Sequence, residues 1–105
     1  MPREQLKTLT EQMYYLLLVV QTPNFGFGIM KDVKAMTNKR VKIGAGTLYA
    51  LLSRFENDQI IYQVDEIDRK KYYQLTPKGK KLLKTEYQRL KQLVIDGKEL
   101  ENHED

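Results

Sequence analysis

Gly44-Ala45-Gly46-Thr47-Leu48-Tyr49-Ala50-Leu51-Leu52-Ser53-Arg54-Phe55-Glu56-Asn57 is the stretch whose reading decides the fold. Leu48, Leu51, Leu52 and Phe55 recur at three- and four-residue steps, which predicts a helix over 45–57 with those side chains on its inner face. Thr47, Ala50, Ser53, Arg54 and Asn57 fall on the outer face. The helix opens on Gly44, Ala45 and Gly46, side chains too small to keep another backbone away. Its first N–H groups have no partner within the helix and carry the positive end of the dipole. A helix that begins thin, polar and electropositive is suited to an anion.

Downstream, residues 60–65 and 71–75 are rich in β-branched and aromatic side chains and read as two short strands. The polar run 66–70 is the tip that joins them. Tyr72 and Tyr73 alternate across the second strand, so one ring should face the core and the other outward. Thr76-Pro77 then starts a last helix, Thr as cap and Pro at the first helical position. It runs to about Asp96, with Gly97 as a stop.

Upstream, Val41-Lys42-Ile43 is a short connector. Ile29, Met30, Val33 and Met36 place a helix over 27–37, and Asn38 is suited to end it. Phe25-Gly26-Phe27-Gly28 reads as a turn that carries two aromatic plugs. Leu6, Leu9, Met13, Leu16, Leu17 and Val20 form one stripe over 3–21, closed by Thr22-Pro23-Asn24. The order is helix, helix, helix, strand, strand, helix. That is a mainly α fold with the plan of a winged helix-turn-helix: three helices, a two-stranded β wing and a long C-terminal helix. Residues 1–76 form the winged unit, 77–97 a dimerisation helix, and 98–105 a polar tail expected to be disordered.

In such a plan the helix over 45–57 enters the DNA major groove. Gly46 lets the backbone approach, Thr47 and Tyr49 offer hydroxyls, Lys42 adds charge, and Arg54 stands where it could reach the phosphate backbone. At the wing tip, Arg69, Lys70 and Lys71 offer cations to phosphates, opposed by Asp65, Glu66 and Asp68. Each group can also be read as an ordinary solvated surface. In the last helix, Leu83, Tyr87, Leu90 and Val94 fall at four-three-four spacing, a coiled-coil seam, with Leu82 and Leu93 beside it. Together with Leu6, Leu9, Met13 and Leu17 of the first helix this seam predicts a homodimer interface. Packing within one chain is the other way to bury it.

Composition bounds the rest. The chain has 105 residues, 30% of them charged, and a formal net charge of +4, which suits one folded domain with an anionic partner. The acidic residues gather after Asp96, so the body is more basic than the whole. There is no cysteine and one histidine, His103 in the tail, so thiolate or histidine metal sites and nucleophile–base triads cannot be assembled. No cofactor is expected. The longest apolar run, 14–20, is too short for a membrane span, and no secretion signal is visible. A cytoplasmic protein without a membrane partner is the expectation.

Ala45-Gly46-Thr47-Leu48-Tyr49, followed by Leu52, Arg54, Phe55 and Glu56 and then Asp58-Gln59-Ile60-Ile61, resembles the recognition-helix pattern of the PadR family. Arg69-Lys70-Lys71-Tyr72-Tyr73-Gln74-Leu75-Thr76 resembles its wing signature, and Gly79 matches the glycine just after it. Gly26-Phe27-Gly28-Ile29 is similar to the family's turn into its second helix. The match runs from about Leu9 to Val94. The resemblance implies a winged-helix dimer joined through its first and last helices, in the short form with a single C-terminal helix. It implies transcriptional repression, often of a neighbouring transporter or detoxification operon, relieved by a small-molecule inducer. It also implies DNA contacts at Thr47, Tyr49, Arg69, Lys70 and Lys71. Asp68 and Gln59 stand where glycine is common, and Phe55 where leucine is. Multidrug-sensing members stack planar compounds on a tryptophan of the last helix; this chain has none, and Leu90 takes its place.

Two other classes of function compete with this one. A winged helix can serve as a protein-interaction module without specific DNA binding; the basic wing and the 44–49 helix start argue for double-stranded DNA as the partner. An enzyme needs a nucleophile–base pair, a phosphate loop or a metal cluster, and the residues offer none.

Overall fold

The computed structural model describes residues 8–102. Thr10 caps α1 (Glu11–Leu18): its backbone is extended and its hydroxyl accepts from the Met13 N–H at 3.2 Å, satisfying one of the donors left open at a helix start. The apolar stripe alone predicts a helix over 3–21. The cap delays its start to Glu11, and residues 1–7 lie outside the described part. The helix stops at Leu18 because later carbonyls are taken by other partners. Asn24 Nδ2 donates to the Val19 carbonyl at 3.0 Å, the Leu75 N–H to that of Val20 at 3.0 Å, and Gln74 Nε2 to that of Gln21 at 3.2 Å.

β1 (Asn24–Phe25) corrects the reading of this segment as part of a turn. It pairs Asn24 with Tyr73 and Phe25 with Tyr72. Two residues are too few to show alternation, so pattern reading passes over them. Asn24 is a clasp: its Oδ1 accepts from the Phe25 N–H and its Nδ2 also donates to Asp32 Oδ2, both at 2.9 Å.

α2 (Gly26–Met36) ends with Thr37 as its cap residue and Asn38 at φ 52°. The Asn38 N–H reaches the Ala35 carbonyl at 3.2 Å and the Lys39 N–H that of Lys34 at 2.8 Å, the paired bonds of a Schellman motif. The buried Thr37 hydroxyl donates to the Val33 carbonyl at 2.8 Å and accepts from the Val41 N–H at 3.0 Å. That fixes the connector into the next helix.

α3 (Ala45–Asn57) has the bounds predicted from its periodicity. It closes in a second Schellman motif. Gln59 stands at φ 61°, its N–H 3.0 Å from the Glu56 carbonyl, and the Ile60 N–H 2.8 Å from that of Phe55. β2 (Ile61–Ile67) and β3 (Lys70–Leu75) form the hairpin, in register from Ile61 opposite Leu75 to Ile67 opposite Lys70, with a bulge at Val64. The sheet order β1-β3-β2 makes three strands where sequence reading counts two.

α4 (Pro77–Asp96) begins with Thr76 accepting from the Gly79 N–H at 3.0 Å. Gly79 has a packing reason: a Cβ there would collide with the Ile60 carbonyl. The helix ends at Gly97, whose φ of −92° any residue could adopt. A 3₁₀ helix follows over Lys98–Asn102 with exposed side chains, where sequence reading expects a disordered tail. Leu16, Leu17, Val20, Ile29, Val33, Leu48, Leu52, Phe55 and Ile61 fill the core among α1, α2, α3 and the sheet. The architecture is a winged helix-turn-helix in which α2 and α3 are the paired helices and β2–β3 the wing.

Candidate nucleic-acid interface

The start of α3 is exposed from Gly44 to Thr47. Neither Gly44 nor Gly46 has a positive φ, and a Cβ on either would meet nothing within 4 Å. No contact inside the chain requires those glycines. What they leave is a thin helix end facing outward, without a side-chain cap on its free N–H groups. Behind it Leu48, Leu52 and Phe55 are buried, so the core sets the direction of this end. Thr47 is exposed, and Tyr49 is 62% exposed with its hydroxyl lying across Gly26 at the start of α2.

The wing tip is built differently. Ile67 pairs with Lys70, leaving a two-residue turn of Asp68 at φ 52° and Arg69 at φ 66°. Two positive φ values define the type I′ hairpin turn, which favours Asn-Gly or Asp-Gly. Asp tolerates this conformation; Arg at the second position is strained by roughly 1–2 kcal/mol. Arg69, Lys70 and Lys71 are all exposed. Tyr73 turns inward and is buried, while Tyr72 is half-buried against Phe25. Burial pushes the Tyr73 hydroxyl above its ordinary pKa, with the Glu56 carboxylate and Tyr49 adding to the rise.

The wing tip and Tyr49 share one groove of about 400 Å³, lined by Arg69, Lys70 and Lys71 from the wing and by Phe27 and Tyr49 from α2 and α3; Gly46 and Thr47 are not among its lining residues. Lys42 lies outside it. It lines a neighbouring groove of about 340 Å³ with Phe27, Met30, Lys31 and Lys34. Sequence reading missed Lys31 and Lys34; their three-residue spacing on the outer face of α2 was the available signal. Arg54 is displaced from both grooves. It sits about 10 Å further along α3 than Thr47, half-buried, with Nε 3.8 Å from Asp58 Oδ2.

The predicted dimer stripe divides. Leu6 lies outside the described residues. Met13, Leu17 and Leu83 are buried within a single chain: α1 and the first half of α4 pack those side chains into the domain's own core, which leaves them little surface for a second chain. Leu9 and Leu90 are half-buried, and Tyr87 is exposed. Beyond them α4 leaves the domain, with Leu93 54% and Val94 69% exposed.

Between the two halves of α4 sits a residue that no pattern suggested. Glu86 is only 2% exposed. Its carboxylate accepts from Arg89 Nε and Nη2 at 2.7 and 2.8 Å and from the Leu9 N–H at 2.8 Å. The Arg89 hydrogen bonds hold the Glu86 carboxyl below its ordinary range against the opposing effect of burial.

Among the described residues no helix is long and apolar enough to cross a membrane, and no group of three or more His, Cys, Asp or Glu is placed to hold a metal. Comparison with known proteins bears on the whole chain. A solved transcriptional regulator from Clostridium thermocellum is 27% identical, with a TM-score of 0.65 over 82% of this chain and 86% of that one. A PadR-like transcriptional regulator from Bacillus cereus shares the fold, with a TM-score of 0.71, 21% identity, and coverage of 89% and 92%. A 37.1 kDa protein of transposon TN4556 in Streptomyces fradiae is 31% identical over 77% of this chain, and the match spans 23% of that relative's length. Residues 15–85, which include α2, α3, the wing and the start of α4, match the transcriptional regulator PadR-like family. The chain belongs to that family.

Proposed function

We propose that this chain is a sequence-specific DNA-binding repressor that acts as a homodimer in the cytoplasm and is released by a small-molecule ligand. The observation that carries the reading is the shared groove: the basic wing and Tyr49 of α3 line one concavity. Helix-turn-helix proteins dock their second helix in the major groove, and a basic wing contacts the flanking backbone. In this arrangement Gly46 admits the DNA backbone, Thr47 and Tyr49 donate to phosphates or base edges, and Arg69, Lys70 and Lys71 neutralise phosphates beside them. Lys42, with Lys31 and Lys34, extends the cationic surface along α2. Arg54, further along the same outer face, would reach the phosphate backbone from its place beside Asp58.

The exposed outer half of α4 supports the dimer. Tyr87, Leu90, Leu93 and Val94 would pack on a second chain, which would set two α3 helices at a fixed separation on DNA. A groove of about 430 Å³ between α1 and α4, with Tyr14 and Tyr87 on its walls, lies beside that face and offers a place for an apolar inducer.

The test is fluorescence-anisotropy binding to duplexes from the region upstream of the chain's own gene, against scrambled duplexes, at two salt concentrations. Saturable binding to the native duplex alone, with two chains per site, supports the reading. Weak binding equal on both duplexes and abolished by salt overturns it in favour of a protein-interaction module. Sedimentation of Leu90→Glu checks the dimer separately, with dissociation expected.

A further inference from the structure

Phe25 is an unexpected residue for the place it holds. It is the N-cap of α2, where Ser, Asn or Asp would satisfy a free N–H, and its side chain makes no cap hydrogen bond. The ring points instead to the wing. Its centroid is 5.2 Å from that of Tyr72, tilted by 43°, and Lys70 Nζ lies over its face at 5.0 Å. Lys70 and Tyr72 are two residues apart on β3 and so share one face of the strand. On its other side the ring is walled by the start of α2. A Cβ at Gly28 would collide with the Asn24 side chain and stand 3.0 Å from a carbon of the Phe25 ring, so a small residue 28 leaves room for both the clasp and the ring. The pairing of Phe25 with Tyr72 in the sheet and the Asn24 clasp fix the backbone beneath.

We propose that Phe25 is a positioning residue for DNA binding, its ring aiming the Lys70 ammonium from the wing toward the phosphate backbone. A lysine otherwise sweeps a wide cone on four rotatable bonds. A cation within about 6 Å of a ring centroid is attracted to the ring face, which narrows that cone while leaving the ammonium donors available. The ring therefore prepays part of the ordering that a phosphate contact requires. The proposal rests on the reading of the wing as a DNA-contacting element.

The experiment compares the parent with Lys70→Ala, Phe25→Leu, Phe25→Tyr and the double variant Phe25→Leu with Lys70→Ala. The probe is a 30-base-pair mixed-sequence duplex, and the readout is the slope of log affinity against log salt. Losing one phosphate contact reduces that slope by about 0.9. Lys70→Ala should show that reduction and Phe25→Leu a fraction of it, the double variant no more than Lys70→Ala alone, and Phe25→Tyr should keep the parental slope. A purely structural role for Phe25 would lower stability and leave the slope untouched.

Proton NMR of the unmodified protein adds a readout that needs neither DNA nor a variant: the Lys70 ε-methylene protons should be shifted upfield by the ring current. A reduced slope in Lys70→Ala with a parental slope in Phe25→Leu overturns the role of Phe25 and leaves the wing reading standing. So do Lys70 protons at their random-coil position. Parental slopes in both single variants overturn Lys70 as a wing contact, and with it the role of Phe25.

Discussion

The start of α3 and the tip of the wing are both exposed but are held in place by opposite means. The helix start is unstrained and almost uncharged, and its direction is set by Leu48, Leu52 and Phe55 in the core. The wing tip is highly charged. It turns through two residues with positive φ, neither of them glycine, and leans on Phe25 rather than on the core. The difference suggests a division of labour. A surface that must discriminate base edges benefits from rigid placement, whereas one that meets phosphates at any sequence needs charge more than register. It also implies that the two elements fail differently when altered.

The largest effect should come from undermining the helix. Phe55→Ala removes a fully buried ring and should cost about 3–5 kcal/mol of stability in urea unfolding. A cost below about 1 kcal/mol would mean the core does not hold α3. Next, Thr47→Val keeps the shape of an exposed side chain and deletes its hydroxyl. It should weaken binding to the native duplex by roughly 0.5–1.5 kcal/mol, the value of one hydrogen bond, with less effect on a scrambled duplex. Equal weakening on both would move Thr47 from discrimination to backbone contact.

The wing should respond with two signs at once. Arg69→Gly relieves a left-handed backbone and should raise stability by about 1 kcal/mol. The same change removes a cation, lowering the salt slope by about 0.9. A fall in stability would show that the turn is not strained; an unchanged slope would remove Arg69 from the contact. The smallest change supplies the control. Gln59→Gly relieves a similar conformation at φ 61°, at the far end of α3 from the grooves. It should raise stability by about 1 kcal/mol or less and leave DNA binding unaltered.

This contrast also explains which features could be read from the chain. α3 was legible to the residue because buried leucines at helical spacing and a small-residue start are local signals. The hairpin was legible from its aromatic and β-branched runs, and Gln59 and Asp68 were marked as standing where relatives have glycine; their positive φ values give the reason. β1 was not legible, since its strand character comes from Tyr72 and Tyr73, far along the sequence. Met13, Leu17 and Leu83 were read as a seam because a stripe shows only that a face is covered, not by which chain. Glu86 was invisible for a related reason. Within a lysine-rich helix it looks like one more surface charge, and its burial depends on a backbone N–H at Leu9.

That last bond bears on how the protein is made. Leu9 and Glu86 are 77 residues apart, and closing so long a loop carries an entropic penalty that only later contacts repay. The chain emerges from the ribosome with its N-terminus first, so the face of α1 that packs on α4 must wait until β3 and then α4 have followed. α1, α2 and α3 can meet early because they are neighbours in sequence. α3, the proposed recognition helix, is thus among the first elements that can form, and the nascent domain stays open along that face of α1 until its final helix arrives.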